Sequence, residues 1–320
     1  MAKLKVLLHS LWYPIAIASY YRNALEARGD IDLKVVGVFT GTWIPWKGGM
    51  NLPQKYAKTP DVPLPHHFSS PIADYEYVKH QLQGWKPDLI ITVDAGSRWT
   101  GKPSEGYVAH VGTDGHCLDY DKPRLDSDKF FNMHERYAKS GDVILPYAYD
   151  HTVHYRGTPI EKEYDVVMVG VEYQHRIELV ARLRAEGIRT YFSNGEVFEE
   201  YREVHQRAHI GVNWSSLDDL NARAFELPMM GNIPVMNRVT DMSLPRHHYF
   251  DYAYLFGCDN EASNKTQFVQ GAIDKVKYVM ANLEQCKTQL EDMRELIKGE
   301  TYSARVQTIL DECGFGGSVG

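Results

Sequence analysis

Short apolar runs alternate with amphipathic stretches along most of the chain. Lys5 to His9 is an apolar run of strand length, Ser19 to Arg28 has a helical period that stops at Gly29, and Leu33 to Phe39 is a second strand. From Thr40 to Pro71 the period gives way to Gly, Pro, Trp and Lys. That stretch reads as a long loop, which in a compact domain is functional or disordered. Strands are expected again at Asp88 to Val93, Tyr107 to Val111 and Val143 to Pro146, with a helix over Phe131 to Ser140. His151 to Glu163 is polar and aperiodic, and beyond it the alternation restarts. Strands fall at Asp165 to Val169, Arg189 to Phe192 and Ile210 to Asn213, and helices over His175 to Glu186 and Val197 to Arg207. A helix from Asp218 stops at Gly231, ahead of the strand Ile233-Pro234-Val235-Met236. The last third is helical over Thr266 to Leu283, Cys286 to Ile297 and Thr301 to Cys313. Two successive βα-alternating halves without a repeat predict an α/β protein. It would have two doubly wound Rossmann-like domains facing a cleft, residues 1–155 and 156–320, the second ending in a helical tail.

Composition narrows the class without choosing a function. A chain of 320 residues suits two domains of ordinary size. Its 35 basic and 42 acidic residues leave a net charge of −7, so no global field favours nucleic acid, although a local basic patch stays open. Cys117, Cys258, Cys286 and Cys313 lie too far apart for zinc-site or disulfide spacing, and reduced thiols in a cytoplasm are the simplest reading. The apolar run after Met1 is too short for a signal peptide or a membrane span. A soluble cytoplasmic protein is expected.

Candidate chemistry gathers in the second half. On a helix over Asp218 to Gly231, Asp219, Arg223 and Glu226 stand at i, i+4 and i+7 on one face, beside the apolar stripe Leu220, Ala224 and Leu227. A guanidinium grips phosphate oxygens, and a carboxylate one turn away accepts bonds from ribose hydroxyls. The plainer alternative is a surface Arg–Glu pair. Gly170 at a strand end, followed by a helix start and Arg176, is either an anion site or a structural turn; it lacks the GxGxxG fingerprint and the P-loop lysine. Phe192-Ser193-Asn194-Gly195 closes another strand, as a plain turn or as a loop that reads a nucleobase edge.

In the first half, the strand from Tyr107 runs into Gly112-Thr113-Asp114-Gly115-His116. A carboxylate at a parallel strand's C-terminal end faces the ligand crevice, where Asp114 would serve as a general base. The alternatives are that it caps a turn or pairs with His116. Asp94, after Ile90-Ile91-Thr92-Val93, is the rival base. Adjacent side chains diverge in His66-His67 and His247-His248, so no metal is expected. Much of the aromatic content of the first hundred residues must be core. Trp12, Tyr13, Trp43 and Trp46, near Lys47, Lys55 and Lys58, instead offer an acceptor platform for sugar faces or unstacked bases.

Taken together, these stations resemble a known family. Tyr164 to Gly170, Arg176, and the run Asp218-Asp219-Leu220-Asn221 with Arg223 and Phe225-Glu226 look like the spore-maturation CgeB-like glycosyltransferases of the GT-B superfamily. The resemblance runs from about Tyr107 to Leu310, is densest over 164–241, and includes Thr301-Tyr302 with Arg305. More distantly, the same stations resemble a phage DNA β-glucosyltransferase. The resemblance implies that Arg176 and Arg223 hold the diphosphate of a nucleotide sugar and Glu226 its ribose, with Gly170, Asn194 and Asn221 in the same site. Asp218 stands eight residues before Glu226, the spacing of the paired glutamates of many GT-B enzymes, and departs from them by being Asp. CgeB-like strands end in Asp-Thr-His and the phage enzyme's strand in Thr-Asp, whose Asp is the general base; Gly115 replaces the threonine of the first pattern, while Asp114 matches the acid in both. The activity implied is transfer of a sugar from a nucleotide diphosphate, a UDP-sugar favoured, to an acceptor hydroxyl, without a cofactor. The acceptor is a saccharide, a glycolipid or a modified DNA base. Inversion is favoured, and the acids at 218 and 226 keep retention open. The alternatives are a DNA-modifying transferase, a nucleotide-sugar epimerase and a non-catalytic binding protein.

Overall fold

The computed structural model describes residues 2–44, 50–65, 71–93, 96–215, 218–257 and 265–317, with side chains of the last segment from 268. Trp46, Lys47, His66, His67 and Asp94 lie outside the described residues. The chain forms two compact units: Met1–Pro146 with Tyr302–Gly320, and Tyr147–Thr301. The division thus falls nine residues ahead of the boundary drawn at 155, and the closing helix returns to the first unit. Within that unit Tyr302 stacks on Tyr20 at 5.1 Å and meets Tyr21 edge-on at 5.2 Å, and Arg305 Nε donates to the Pro146 carbonyl at 2.8 Å.

The first unit is built on a seven-stranded sheet. Its order is Val143–Ile144, Lys129–Asn132, Tyr107–Gly112, Leu89–Val93, Leu4–His9, Ile31–Val38, Val62–Leu64, every pair parallel. Numbered along the chain this is 7-6-5-4-1-2-3, a doubly wound order whose direction reverses between Leu4–His9 and Leu89–Val93. Central strands covered on both faces need unbroken apolar runs. Val6, Leu7, Leu8, Ile90 and Ile91 meet that need and are fully buried, each contributing about 1.5–3 kcal/mol of burial.

Two sequence readings change here. Phe131 to Ser140 is not a helix: Lys129–Asn132 is a strand, Phe131 pairs with Val111 and Val143, and only Glu135–Tyr137 makes a single 3₁₀ turn. Aromatic Phe130 and Phe131 favour the pleated, doubly covered position, and a short apolar run carries no period to tell strand from helix. The long loop after Thr40 contains the strand Val62–Leu64 and a short antiparallel pairing of Trp43–Ile44 with Met50–Asn51. A helix over Tyr75–Gln81, capped by Asp74 Oδ1 accepting from the Tyr77 N–H at 2.9 Å, escaped the periodicity reading.

The second unit has a five-stranded parallel sheet, ordered Thr190–Ser193, Tyr164–Val169, Ala208–Asn213, Ile233–Asn237, Tyr254–Phe256. The order 2-1-3-4-5 places its switch point between the C-terminal ends of Tyr164–Val169 and Ala208–Asn213. Helices Gln174–Ala185, Phe198–Gln206 and Arg223–Met230 follow successive strands, and Lys265–Ala281 and Leu283–Ile297 complete the unit. Both units are α/β and doubly wound, as the sequence predicts. No helix among the described residues is long and apolar enough to cross a membrane.

Three fully buried imidazoles make both units sensitive to acid. Burial, first among the causes, pushes His9, His110 and His205 down to about 3 from an ordinary 6.5. Below 6.5 the unfolded chain therefore takes up protons that the folded chain refuses, and stability falls as pH falls toward 3. Each group removes about 1.4 kcal/mol per pH unit in that window. Melting temperature is expected to drop steadily from pH 6.5 downward, which calorimetry across pH 4–7 checks. A flat profile there would mean that the three rings are charged in the fold.

Candidate functional site

The switch point of the second unit is lined by positive charge. Gly170 ends Tyr164–Val169 with φ +146°, a conformation L side chains rarely adopt, and a Cβ there would lie 3.0 Å from Arg223 Nη2 and 3.3 Å from Arg176 Nη1. Gly170 is what lets both guanidinium groups reach one strand end. Arg176 is 5% exposed; Nη1 donates to the Val171 carbonyl at 3.0 Å, Nη2 donates to the Trp214 carbonyl, and the group packs over the Tyr173 ring at 5.1 Å. Burial first, and Arg223 second, lower its pKa to about 10. Arg223 makes a long contact from Nη1 to Asn213 Oδ1, 3.5 Å, and lies beside the Tyr201 hydroxyl. Among the described residues neither arginine forms a salt bridge, and the Nε of each is buried without a partner. Two cations with so little compensation are arranged for an anion. The helix Gln174–Ala185 begins beside them, and its cap residue Tyr173 supplies no side-chain acceptor for the first N–H groups.

The segment before Arg223 differs from its expected form. The helix spans Arg223–Met230 only, and 218–221 is irregular. Asp218 takes a left-handed φ of 53°, and its two carboxylate oxygens accept from Thr240 N and Oγ1, each at 2.8 Å. Asp219 accepts from Ser215 Oγ, and Asn221 Oδ1 accepts from Asn213 Nδ2 at 3.0 Å. Short polar side chains that bond nearby backbone and loops compete with helix formation, which is why the helix starts late. Asp219 therefore shares no helix face with Arg223 and Glu226. Asp218 holds the loop to Thr240, and Asn221 orients the Asn213 amide beneath Arg223.

Glu226, one turn into that helix, is 8% exposed. Tyr201 Oη donates to its Oε2 at 3.0 Å, and His154 Nε2 lies 3.6 Å from its Oε1. Neither partner stood out in the sequence. Tyr201 was hidden as an ordinary core position of the helix Phe198–Gln206, and His154 fell in the aperiodic stretch read as a boundary. Asn194 is exposed after Thr190–Ser193, the strand paired with Tyr164–Val169, and Gly170 N donates to the Ser193 carbonyl at 2.8 Å. It therefore stands one strand away from the arginines.

In the first unit Asp114 follows Tyr107–Gly112 at the C-terminal edge of the sheet. Thr113 Oγ1 donates to its Oδ2 at 2.6 Å, and the backbone N–H groups of Thr113 and Asp114 both donate to Tyr120 Oη at 3.1 Å. Its side chain keeps 29% exposure, whereas that of His116 keeps 9%, with Nε2 at 3.8 Å from Asp114 Oδ1. A Cβ on Gly115 would come within 2.9 Å of Tyr137 Cβ, so this packing excludes a threonine at 115. Asp114, His116 and Cys117 offer ligand atoms within 4.8 Å of one another. Trp12 contradicts the platform reading: it is 2% exposed, and its Nε1 donates to the Val36 carbonyl at 2.8 Å, so it is core. Tyr13 and Trp43 are half-buried.

No protein-family model matches the chain, and no curated protein sequence matches it. Solved structures do match. An α-glucosyltransferase in complex with UDP and a 13-mer DNA containing a central A:G mismatch aligns over 98% of this chain and 100% of its own, with TM-score 0.62 at 11% identity. A sucrose-phosphate synthase from Thermosynechococcus elongatus aligns over 99% of this chain and 100% of its own, with TM-score 0.60 at 12% identity. A UDP-N-acetylglucosamine 2-epimerase aligns over 98% of this chain and 97% of its own, with TM-score 0.56 at 13% identity. The DNA glucosyltransferase among these structures is an α-glucosyltransferase, where the sequence resemblance pointed to a β-glucosyltransferase. At such identities the likeness concerns the fold, and that fold is GT-B, with two Rossmann-like domains.

Proposed function

We propose that this protein is a glycosyltransferase that moves a sugar from a nucleotide diphosphate, a UDP-sugar favoured, to an acceptor hydroxyl. The observation that carries the reading is the convergence of Arg176 and Arg223 on Gly170 at a switch point, with Glu226 one turn away. Arg176, Arg223 and the helix start at Gln174 neutralise the diphosphate, Glu226 accepts from the ribose hydroxyls, and Asn194 faces the base. Asp114, exposed enough to meet an acceptor, takes the proton of the attacking hydroxyl. The acceptor oxygen bonds to the anomeric carbon, the bond from that carbon to the diphosphate breaks, and the charge released is stabilised by the two arginines. Single displacement of this kind inverts the anomeric carbon. Solved neighbours bound to UDP support the nucleotide, and the resemblance over 164–241 is what favours a CgeB-like enzyme.

A second reading, a transferase acting on modified DNA bases, is favoured by the neighbour solved with a DNA containing an HMU base. A third, nucleotide-sugar epimerisation, is favoured by the epimerase structures. Release of nucleoside diphosphate from a donor only when a saccharide acceptor is added supports transfer. Release only on hydroxymethylated DNA moves the acceptor to nucleic acid, and a changed donor sugar without any acceptor moves the chemistry to epimerisation.

Activity is expected to survive EDTA, because two guanidinium groups and a helix start neutralise the leaving diphosphate without a cation. Loss on chelation, restored by Mg²⁺ or Mn²⁺, would count against this arrangement.

A further inference from the structure

Glu226 is an acid held from two sides by groups outside the sequence motif. Its Oε2 accepts from Tyr201 Oη at 3.0 Å, and its Oε1 lies 3.6 Å from His154 Nε2. The backbone N–H of Asp150 donates to His154 Nδ1 at 3.1 Å. A ring nitrogen that accepts carries no proton, so in the neutral imidazole the hydrogen sits on Nε2 and points to the carboxylate. Burial lowers the pKa of His154 and keeps the ring neutral. The loop that carries it is itself braced: Asp150 Oδ1 accepts from Thr152 N at 2.8 Å and Oγ1 at 2.6 Å, and His154 N donates to the Asp150 carbonyl at 2.7 Å. On the other side the Tyr201 ring packs at 4.4 Å against His205, which is anchored through Nδ1 on Asn232 Oδ1 at 2.9 Å.

A carboxylate has about four lone-pair positions; Tyr201 bonds one of them and the His154 ring stands beside the other oxygen at 3.6 Å, a contact short of a hydrogen bond, so the two side chains fix the plane of the group and leave lone pairs for a ligand. Two adjacent acceptor oxygens, fixed in one plane, match the two hydroxyls of a vicinal diol. Removing one hydroxyl leaves a desolvated acceptor unpaired, and sites built to bond a hydroxyl reject analogues lacking it. We infer that Tyr201 and His154 are positioning residues that lock the Glu226 carboxylate so that the site selects ribonucleoside over 2′-deoxyribonucleoside diphosphates. The inference rests on the proposed nucleotide site and adds to it a rule of substrate selection and the two groups that enforce it.

The test is calorimetric titration of the full chain with the pairs UDP and dUDP, GDP and dGDP, ADP and dADP. The variants are Tyr201→Phe, His154→Asn and His154→Gln. Asn places an acceptor near the Nδ1 position and keeps the bond from Asp150 N–H, but loses the N–H beside Glu226. Gln reaches the Nε2 position with an N–H. For the base that binds, the parent is expected to prefer the ribose form by about tenfold or more, within the range for losing one bond to a charged group. Tyr201→Phe and His154→Asn are expected to cut that preference to about threefold or less with affinity for the deoxy form unchanged, and His154→Gln to restore it. A parent that prefers ribose together with variants that keep the full preference overturns the inference and leaves the nucleotide site standing. A parent that binds a pair without preference overturns the role of Glu226 as well. A parent that binds no pair overturns the nucleotide reading itself. Should Tyr201→Phe fail to fold, the two His154 variants decide the matter alone.

Discussion

Replacing Arg223 by methionine is expected to weaken nucleoside-diphosphate binding by roughly tenfold to a hundredfold, the 1–3 kcal/mol carried by charge-assisted bonds, without lowering the melting temperature. The combination is unusual for a half-buried arginine and follows from its surroundings. Arg223 makes a long contact to Asn213 at 3.5 Å and lies beside the Tyr201 hydroxyl, and its Nε is buried without a partner among the described residues. Its charge sits beside Arg176, whose pKa it helps to depress. Repulsion from Arg176 offsets these weak contacts, while the methionine retains the aliphatic stem. Arg176 is different. It ties Val171 to Trp214 across the two strand ends, so Arg176→Met is expected to lose stability as well as binding. Glu226→Ala should weaken binding over the same range as Arg223→Met. Melting curves with and without nucleotide separate these cases, and an Arg223→Met variant that melts several degrees lower with unchanged affinity would make Arg223 structural.

Asp114→Asn should reduce turnover by roughly 10²–10⁴, the usual worth of a positioned general base, and leave donor affinity nearly unchanged. The amide is isosteric and still accepts from Thr113 Oγ1, and the backbone bonds to Tyr120 Oη are untouched, so the edge of the sheet keeps its shape. Only the ability to take a proton is lost. Donor affinity is spared because Asp114 belongs to the first unit and the residues proposed to hold the donor belong to the second. Asp94→Asn should be mild by comparison. The product anomer is expected to be inverted relative to the donor. A retained product, or near-parental turnover in Asp114→Asn, would remove the proposed mechanism and leave the fold as it is.

The sheets were legible in the sequence because doubly covered parallel strands require continuous apolar runs, and Val6 to Leu8, Ile90 to Ile91 and Val166 to Val169 provide them. The strand at Phe131 was misread because four apolar-rich residues carry no period of their own. The segment at 218–221 was misread because its order comes from side-chain bonds to Thr240, Ser215 and Asn213, partners fixed only by the folded sheet. Arg176 stood out as an arginine a few residues after a strand-end glycine, and Arg223 and Glu226 by their spacing on one helix and by the family resemblance. Tyr201 and His154 did not, since nothing local separates a core tyrosine from one that donates to a carboxylate 25 positions away. A cap signal was present at Asp74, and apolar periodicity alone passed over it. The final helix looked like a tail of the second half because sequence adjacency is silent about which core Tyr302 and Arg305 join.

The central claim is that the switch point of the second unit is a nucleoside-diphosphate site. It is tested most directly by thermal shift of the parent and Arg223→Met with UDP, GDP, ADP and dTDP. A ligand at a hundred times its Kd stabilises a fold by about 2.7 kcal/mol, a shift of several degrees for a unit of this size. One of the four, UDP by expectation, should raise the melting temperature of the parent by that amount and that of Arg223→Met by much less at the same concentration. No shift with any nucleotide at millimolar concentration, or equal shifts in parent and variant, would contradict the account.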